Sequence, residues 1–253
     1  MALVEQEKLN KLLSHCIPHG VCFSEWWTAN GWSNQLVKCY CDNGWFERLC
    51  RGVIYRKGDT PQAYAAIASY KRQMGDGLYI AAHSALELHG YMHFVPMGKP
   101  RLMVALKDAY IPQWLTLNSF DRTIQAVHMD AFTVGTEVEY YRELELPVSS
   151  AEQAFAECLQ LAPKHYSYMD LYLLMEQLTT LRPEVVEQVL LQSNNQRVKR
   201  MFLYMAEKAQ HIWFEQLDLS HVGLTDSPLS VATGGTFISK YKITIPTELA
   251  QYE

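Results

Sequence analysis

The sequence contains no long apolar run. Its longest ones, AYAAIA and LYIAA, are far shorter than the roughly 20 residues that a membrane-spanning helix needs. The opening residues, MALVEQEKLNKLL, include acidic side chains and lack the apolar centre of a signal peptide. Neither a membrane anchor nor a secretory leader is predicted, and we expect the protein in the cytoplasm.

Cysteine pairs with metal-binding spacing are missing as well. No C-x-x-C pair occurs among the six cysteines, and Cys39-x-Cys41 is a poor spacing for zinc. Five of the six cysteines lie in the first fifth of the chain. We therefore predict structural thiols packed in a small core.

One histidine-rich segment resembles a metal site only superficially. It follows the pattern H-x3-E-x-H-x3-H, with His83, Glu87, His89 and His93. His83 and Glu87 share a helix face, but His89 leaves that face, and convergence would require Gly90 to bend the chain back. We interpret these residues as buried or surface histidines with a carboxylate neighbour, and we predict no metal site.

Catalytic and cofactor-binding signatures are also lacking. The sequence has no nucleophile elbow, no phosphate-binding loop and no dinucleotide fingerprint. Gly234-Gly235 lacks the lysine and the helix that a phosphate cradle requires. We therefore predict no catalytic residue and no cofactor, and the pattern favours a protein that is not an enzyme.

The composition that remains is that of a globular protein with a basic module. Hydrophobic residues make up 49% of the 253 residues and charged residues 19%, which is enough apolar surface to build a core. The formal net charge is -5, yet residues 32–58 hold five Lys/Arg against two Asp/Glu. An acidic protein that carries a locally basic module is typical of a DNA-binding domain on a larger chain.

The first 60 residues predict a winged helix-turn-helix. Leucines near helical spacing predict a helix over 3–14, Ser24 can cap a short second helix, and Ser33 can cap a third. Two alternating segments, 45–50 and 53–56, predict strands joined by a tight turn. Three helices followed by a two-stranded ribbon are typical of this DNA-binding motif.

The remainder, 61–253, predicts a larger mixed α/β domain, so the expected fold class is α+β. Helices are predicted over 61–74, in the second half of 79–91 and from 149 to about 216, and strands over 101–106, 122–129, 138–144 and in the final YKITIP. Capping-box patterns at Ser149 and Ser150 open the long helical region.

The third helix and the ribbon carry the candidates for DNA contact. They are Ser33, Asn34, Gln35, Lys38, Arg48, Arg51, Arg56 and Lys57. Asparagine and glutamine can bind adenine edges with paired hydrogen bonds, and lysine can bind guanine or phosphate. The ribbon cations can hold backbone phosphates or an adjacent minor groove. The alternatives are ordinary solvated charges, or a winged helix that docks a protein or acts as a spacer.

A second basic cluster, Arg197, Lys199 and Arg200, lies at the start of a predicted helix. It could contact phosphates or an acidic partner, or it could be a solvated helix end. This cluster supports a rival hypothesis, in which the chain is a phosphate- or nucleotide-handling enzyme or ligand-binding protein with an accessory winged helix.

Five segments occur in a characteristic order along the chain. They are SNQLVKCYCDNGWFERLCRGVIYRKGD, HSALELHGYMHF, LTTLRPEVVEQVLL, RVKRMFLYMAEKAQHIWFEQLDLS and SKYKITIP. Together they extend from residue 33 to residue 246, and they resemble the AbiEi-type antitoxins and transcriptional regulators of type IV toxin–antitoxin systems.

The resemblance implies how the work is divided along the chain. An N-terminal winged-helix domain, residues 1–60, would bind operator repeats in double-stranded DNA and repress its own operon. A C-terminal domain, residues 61–253, would oppose a nucleotidyltransferase-like toxin without forming a stable complex with it. The DNA-reading helix maps to 33–43 and the wing to 45–57. Since this helix carries only Lys38 as a cation, affinity is expected to depend on the wing.

Overall fold

A computed structural model describes residues 2–91, 98–107, 110–129 and 136–252. The chain divides into two compact units, one made from residues 1–80, 96–128 and 137–148, and one from 81–95, 129–136 and 149–253. Helices and strands occur in both units, which confirms the predicted mixed fold class. None of the described helices combines the length and the apolar character needed to cross a membrane.

The first unit begins with the winged helix-turn-helix. Its helices are α1 (Ala2–His15), α2 (Ser24–Ala29) and α3 (Asn34–Asp42), and its strands are β1 (Cys22–Phe23), β2 (Phe46–Cys50) and β3 (Val53–Arg56). The strands form an antiparallel sheet in the order β1-β3-β2. The three predicted helices and the predicted ribbon are confirmed, whereas the two-residue β1 is too short to leave an alternating pattern in the sequence.

A small apolar core holds these elements together. It contains Leu9, Leu12, Cys16, Cys22, Trp27, Trp32, Val37, Tyr40, Phe46 and Ile54. Each large apolar side chain buried in this way contributes about 1.5–3 kcal/mol. Cys16 and Cys22 are joined by a disulfide, so the prediction of free thiols is wrong for this pair. The turn between α1 and β1 brings their Cα atoms to 6.3 Å, which is within the usual range for a disulfide.

The rest of the first unit is built on a second sheet. It contains helix α4 (Ala63–Met74), strands β4 (Leu78–Ile80), β5 (Arg101–Leu106), β6 (Thr123–His128), β7 (Thr136–Tyr141) and β8 (Leu144–Ser149), and a 3₁₀ turn over Gln113–Thr116. The strand order is β6-β5-β4-β8-β7. The single strand predicted over 138–144 is wrong. The chain turns at Arg142, where φ is 57°, and so forms two strands.

The second unit is mostly helical. Its elements are α5 (Ala82–Leu88), α6 (Ala151–Leu161), α7 (Tyr168–Met175), α8 (Pro183–Gln192), α9 (Gln196–Lys208), α10 (Thr247–Gln251), β9 (Leu229–Ser230), β10 (Thr236–Ile238) and β11 (Ile243–Ile245), with 3₁₀ turns over Ile212–Gln216, Leu219–His221 and Ser239–Tyr241. Helices α6 and α9 bury most of their residues on every side. A helix buried all round lies inside its domain, and these two form the centre of the unit.

Two of the four predicted capping residues act as caps. The hydroxyl of Ser33 accepts a hydrogen bond from Leu36 N, and that of Ser150 accepts one from Gln153 N. The prediction for Ser24 is wrong, because Ser24 is the first residue of α2. The prediction for Ser149 is also wrong, because its hydroxyl donates to the Glu157 carboxylate instead.

Candidate nucleic-acid interface

Helix α3 presents a polar face to solvent. Val37 and Tyr40 are buried against the core of the module, so the opposite side of the helix points outward. Asn34, Gln35 and Lys38 lie on that exposed side. The arrangement agrees with the amphipathic pattern of the sequence, and it leaves amide and ammonium groups free of the apolar core.

The hairpin beside α3 is closed by a tight turn at Arg51-Gly52. Gly52 has φ of 77°, and a Cβ at this position would lie 2.7 Å from the Ser24 hydroxyl. The Gly52 carbonyl also accepts a hydrogen bond of 2.8 Å from the Ser24 backbone N–H. Only glycine fits this turn without strain. The close approach and the hydrogen bond to Ser24 hold the tip of the hairpin against the start of α2.

Residues of α3 and the hairpin line a concave surface that encloses a volume of about 360 Å³. We call it the α3–hairpin surface. Its polar lining includes Asn34 and Lys38, one helical turn apart, together with Arg48 and Arg51 from the hairpin. Burial raises the pKa of the Cys41 thiol, and the nearby Arg48 guanidinium opposes this rise.

A hydrogen bond fixes the first residue of α3 to α2. The indole Nε1 of Trp27 donates to Oδ1 of Asn34 at 2.9 Å. Trp27 is buried and Asn34 is exposed, so the bond connects the core of the module to its outer face. It also ties the two helices of the helix-turn-helix to each other.

The remaining hairpin residues differ in what they contact. The Arg56 guanidinium donates to the backbone carbonyls of Leu13 and Cys16 at the C-terminal end of α1. A cation is stabilised there by the helix dipole and the unpaired carbonyls. Arg56, which the sequence predicts at the DNA interface, therefore joins the hairpin to α1. Lys57 stays exposed, with its stem beside Gly44.

Glu47 introduces a negative charge into the same hairpin. Strand alternation places Glu47 and Arg48 on opposite faces of β2. The Tyr55 hydroxyl donates to the Glu47 carboxylate at 2.6 Å, and this bond, with partial burial, raises the pKa of Tyr55 to about 12. The Glu47 charge is thus held on the face away from the α3–hairpin surface.

Comparison with protein families identifies the family of this protein. A family described as "Transcriptional regulator, AbiEi antitoxin, Type IV TA system" matches residues 101–246, and one described as "Transcriptional regulator, AbiEi antitoxin N-terminal domain" matches residues 5–97. The chain belongs to the AbiEi antitoxin family. It is a transcriptional regulator and the antitoxin of a type IV toxin–antitoxin system, as its resemblance to that family implies.

A solved structure shares the fold of this AbiEi antitoxin. The crystal structure of the RV2827C protein from Mycobacterium tuberculosis is 16% identical in sequence, with a TM-score of 0.59. The similarity covers 88% of this chain and 85% of that chain. At this level of identity the likeness extends to the fold alone. No curated protein matches the chain.

The second basic cluster of the antitoxin is turned inward. Arg200 is 1% exposed, and its guanidinium donates to the carbonyls of Thr225, Ser227 and Lys242 at 2.6–2.9 Å and to the Thr225 hydroxyl at 2.8 Å. Lys199 donates to the Val222 carbonyl, and burial lowers its pKa.

Arg197, the third member of the cluster, donates to the Gln160 carbonyl at 3.0 Å. All three cations thus donate to backbone carbonyls of the same unit, and Arg200 also donates to the Thr225 hydroxyl. Arg200 and Lys199 are therefore not exposed to bind a phosphate or a partner. The rival enzyme hypothesis depends on that contact, and these two cations do not support it.

The histidines of the central segment have separate partners. Nδ1 of His83 lies 2.6 Å from the Tyr166 hydroxyl, and Nε2 of His89 lies 2.7 Å from the Ser149 carbonyl oxygen. Burial raises the pKa of Tyr166, so this hydroxyl keeps its proton at neutral pH. His93 lies outside the described residues.

The sequence did not reveal the polar role of Trp27. The sequence predicts that Trp26, Trp27, Trp32 and Trp45 pack in the core and at hinges; Trp27 and Trp32 are buried, whereas Trp45 is 46% exposed. The bond from Trp27 to Asn34 spans seven residues across a turn, so no helical or strand period marks it. An indole shortly before an asparagine at a helix start is the only signal, and it is a weak one.

Proposed function

We propose that this antitoxin represses its own operon by binding operator repeats in double-stranded DNA through the α3–hairpin surface. The observation that carries the proposal is the convergence of Asn34, Lys38, Arg48 and Arg51 on that surface. An exposed helix beside a cationic hairpin combines the groups that read base edges with the groups that hold phosphates.

Helix α3 would enter the major groove with its N-terminal end towards the bases. Asn34 and Gln35, the first two residues of α3, are exposed and would reach base edges. Ser33 precedes them at the N-cap, where backbone N–H groups and the helix dipole favour a phosphate. Lys38, one turn further along, would contact a base edge or the backbone.

The hairpin would supply most of the electrostatic affinity. Arg48, Arg51 and Lys57 are exposed, whereas α3 offers only Lys38, with Asp42 in its last turn. Contacts between these cations and phosphates release counterions, so the affinity falls as salt rises. The chain as a whole carries a net charge of -5, and attraction to DNA therefore depends on this local group of cations.

The antitoxic function would belong to a different part of the chain. In keeping with the family, we assign DNA binding to residues 1–60 and antitoxicity to residues 61–253. The counterpart would be a nucleotidyltransferase-like toxin that is opposed in the cytoplasm without a stable complex. Co-expression of the toxin with the full chain carrying Arg48→Ala and Arg51→Ala tests this division, because growth should be restored while operator binding is lost.

The DNA-binding proposal is tested by fluorescence anisotropy with a duplex that carries the repeats upstream of the gene. Replacement of both Arg48 and Arg51 by alanine should weaken binding by roughly 100-fold, because a hydrogen bond to a charged group contributes about 1.5–3 kcal/mol. The slope of log affinity against log salt should become shallower by about 2, one for each lost phosphate contact.

Arg72→Ala is the matched control, because it removes an exposed cation from α4 in the same unit. Its affinity and salt slope should equal those of the wild type. An Arg48 and Arg51 double variant that bound with unchanged affinity and slope would contradict the proposal. The same holds for a wild-type protein that ignores the upstream duplex at low salt.

A further inference from the structure

The side-chain amide of Asn34 has a defined orientation. Trp27 Nε1 donates to Asn34 Oδ1 at 2.9 Å, and an indole N–H can act only as a donor. The amide oxygen must therefore face Trp27, and the amide nitrogen points away from it. Since Trp27 is 4% exposed and lies in the core of the module, the protein itself sets this orientation before any DNA is present.

Asn34 stands where base recognition is expected. It is the first residue of α3, it is exposed, and it borders the α3–hairpin surface together with Lys38. In helix-turn-helix proteins the N-terminal residues of the recognition helix contact base edges in the major groove. The group that Asn34 offers to a base is then a pair of N–H donors.

On the basis of the proposed function, we infer that Asn34 recognises guanine in the operator and that Trp27 is the positioning residue that sets this preference. Guanine presents two adjacent acceptors in the major groove, N7 and O6. Cytosine presents an amino donor, and adenine places an amino donor beside its N7. Two outward N–H groups match both acceptors of guanine, whereas thymine offers a single acceptor, O4, and the amino groups of cytosine and adenine oppose them.

This assignment differs from the adenine contact that the sequence predicts. An asparagine binds adenine by accepting a hydrogen bond from N6 while it donates to N7. That pairing needs the amide oxygen at the base, whereas here Trp27 holds the oxygen on the protein side. The identity of the residue suggests adenine, and its fixed orientation selects guanine.

The chain supplies a matched control for Trp27. Trp32 is also 4% exposed in the same core, and its Nε1 donates to the Lys8 carbonyl at 3.1 Å, a partner in α1. Phenylalanine at either position keeps an aromatic ring in the core and removes one indole donor. Only the change at Trp27 frees the Asn34 amide to turn over.

The experiment measures dissociation constants for the upstream operator and for duplexes with every single-base substitution. The position read by Asn34 is the one at which Asn34→Ala becomes indifferent to the base. There the wild type should prefer guanine over adenine and over cytosine by about tenfold or more. Trp27→Phe should reduce this preference to about twofold with an unchanged salt slope, and Trp32→Phe should keep it.

Asn34→Asp gives a second test with a side chain of nearly the same size and shape. A carboxylate accepts from Trp27 and also presents an oxygen to the base, so the preference should move from guanine to cytosine, whose amino group donates. Thermal unfolding would verify that each variant is folded.

Two outcomes would overturn the inference while operator binding itself stands. One is a wild-type preference for a base other than guanine at the Asn34 position, or the lack of any position whose base preference Asn34→Ala removes. The other is a guanine preference that survives unchanged in both folded Trp27→Phe and Asn34→Asp. Failure of the proposed function looks different, because the wild type would then bind no operator at all, and this inference would fall with it.

Discussion

The two basic clusters of this antitoxin have similar compositions and opposite surroundings. Lys38, Arg48 and Arg51 are exposed around the α3–hairpin surface, whereas Lys199 and Arg200 are buried on α9 and donate to backbone carbonyls. The first arrangement leaves cations available to an external polyanion. The second uses cations to hold the C-terminal segment onto a central helix. A run of lysine and arginine in a sequence therefore does not by itself indicate an interaction surface.

The physical reason lies in the helices that carry the clusters. Helix α3 is short and has one buried face, so its charged residues can point outward. Helix α9 is buried all round, and it brings Arg200 under a segment with little regular structure. Backbone carbonyls in such a segment need donors, and a guanidinium, with five N–H groups, can satisfy several of them at once.

Arg200→Ala should produce the largest effect. It removes a side chain that is 1% exposed and donates to Thr225, Ser227 and Lys242. Each hydrogen bond from a charged group contributes about 1.5–3 kcal/mol, so the loss of these bonds should lower the free energy of unfolding by about 3 kcal/mol or more. Urea denaturation measures this loss. Arg72→Ala should change it by about 0.5 kcal/mol or less, and an equal, small effect of both would show that burial does not separate the clusters.

Arg182→Ala tests a cation that is intermediate between the two clusters. Arg182 is half-exposed and donates from its backbone N–H, Nε and guanidinium to the buried Glu152 carboxylate at 2.9–3.0 Å. Its removal leaves a buried charge unpaired, which should cost about 2 kcal/mol, less than for a fully buried pair. The same urea denaturation would measure the loss.

The Glu152 pair also predicts how stability depends on pH. Burial alone would raise the pKa of Glu152, but the hydrogen bonds from Arg182 outweigh burial and hold the pKa below its ordinary 4.5. The pair should therefore stabilise the fold fully above pH 4.5, and the contribution should disappear as pH falls through the lowered pKa. Glu152→Gln should flatten this acid-side loss in urea denaturation, whereas Glu184→Gln, an exposed control, should leave it unchanged.

Arg56→Ala tests whether this cation of the hairpin stabilises the fold or contacts DNA. Arg56 lies on β3, and its guanidinium donates to the carbonyls of Leu13 and Cys16 at the C-terminal end of α1. We expect a loss of about 1.5 kcal/mol in the free energy of unfolding, with operator affinity of the folded protein within about twofold of wild type. A tenfold loss of affinity in anisotropy, with unchanged stability, would return Arg56 to the interface.

Lys57→Ala should have the smallest effect. Its ammonium is exposed and lies beside Gly44. Stability should change by about 0.5 kcal/mol or less, while the salt slope for operator binding should become shallower by at most about one phosphate contact. Anisotropy over a salt series measures the slope, and a change in base preference would instead show that Lys57 reads sequence.

Local patterns predict most elements of the winged helix-turn-helix. The cap at Ser33, the amphipathic spacing of α3 and the positions of β2 and β3 come from short-range signals, and the structure confirms them. Buried residues do not alternate along β2 or β3, however. The pattern predicts one strand over 138–144 because the turn at Arg142 contains no glycine or proline. No pattern predicts β1, because this two-residue strand is defined only by its pairing with β3.

The sequence by itself determined that the chain forms a winged helix-turn-helix on a larger mixed domain, and which residues face outward from α3. Periodicity and capping are local, so they can be read without knowing the fold. Only the tertiary structure decided which cations remain exposed and which way the Asn34 amide points. Arg56, Arg200 and Asn34 receive their partners from residues 7 to 43 positions away in the chain. Contacts at such distances leave no period in the sequence, and they alone decide whether a charge serves the fold or a ligand.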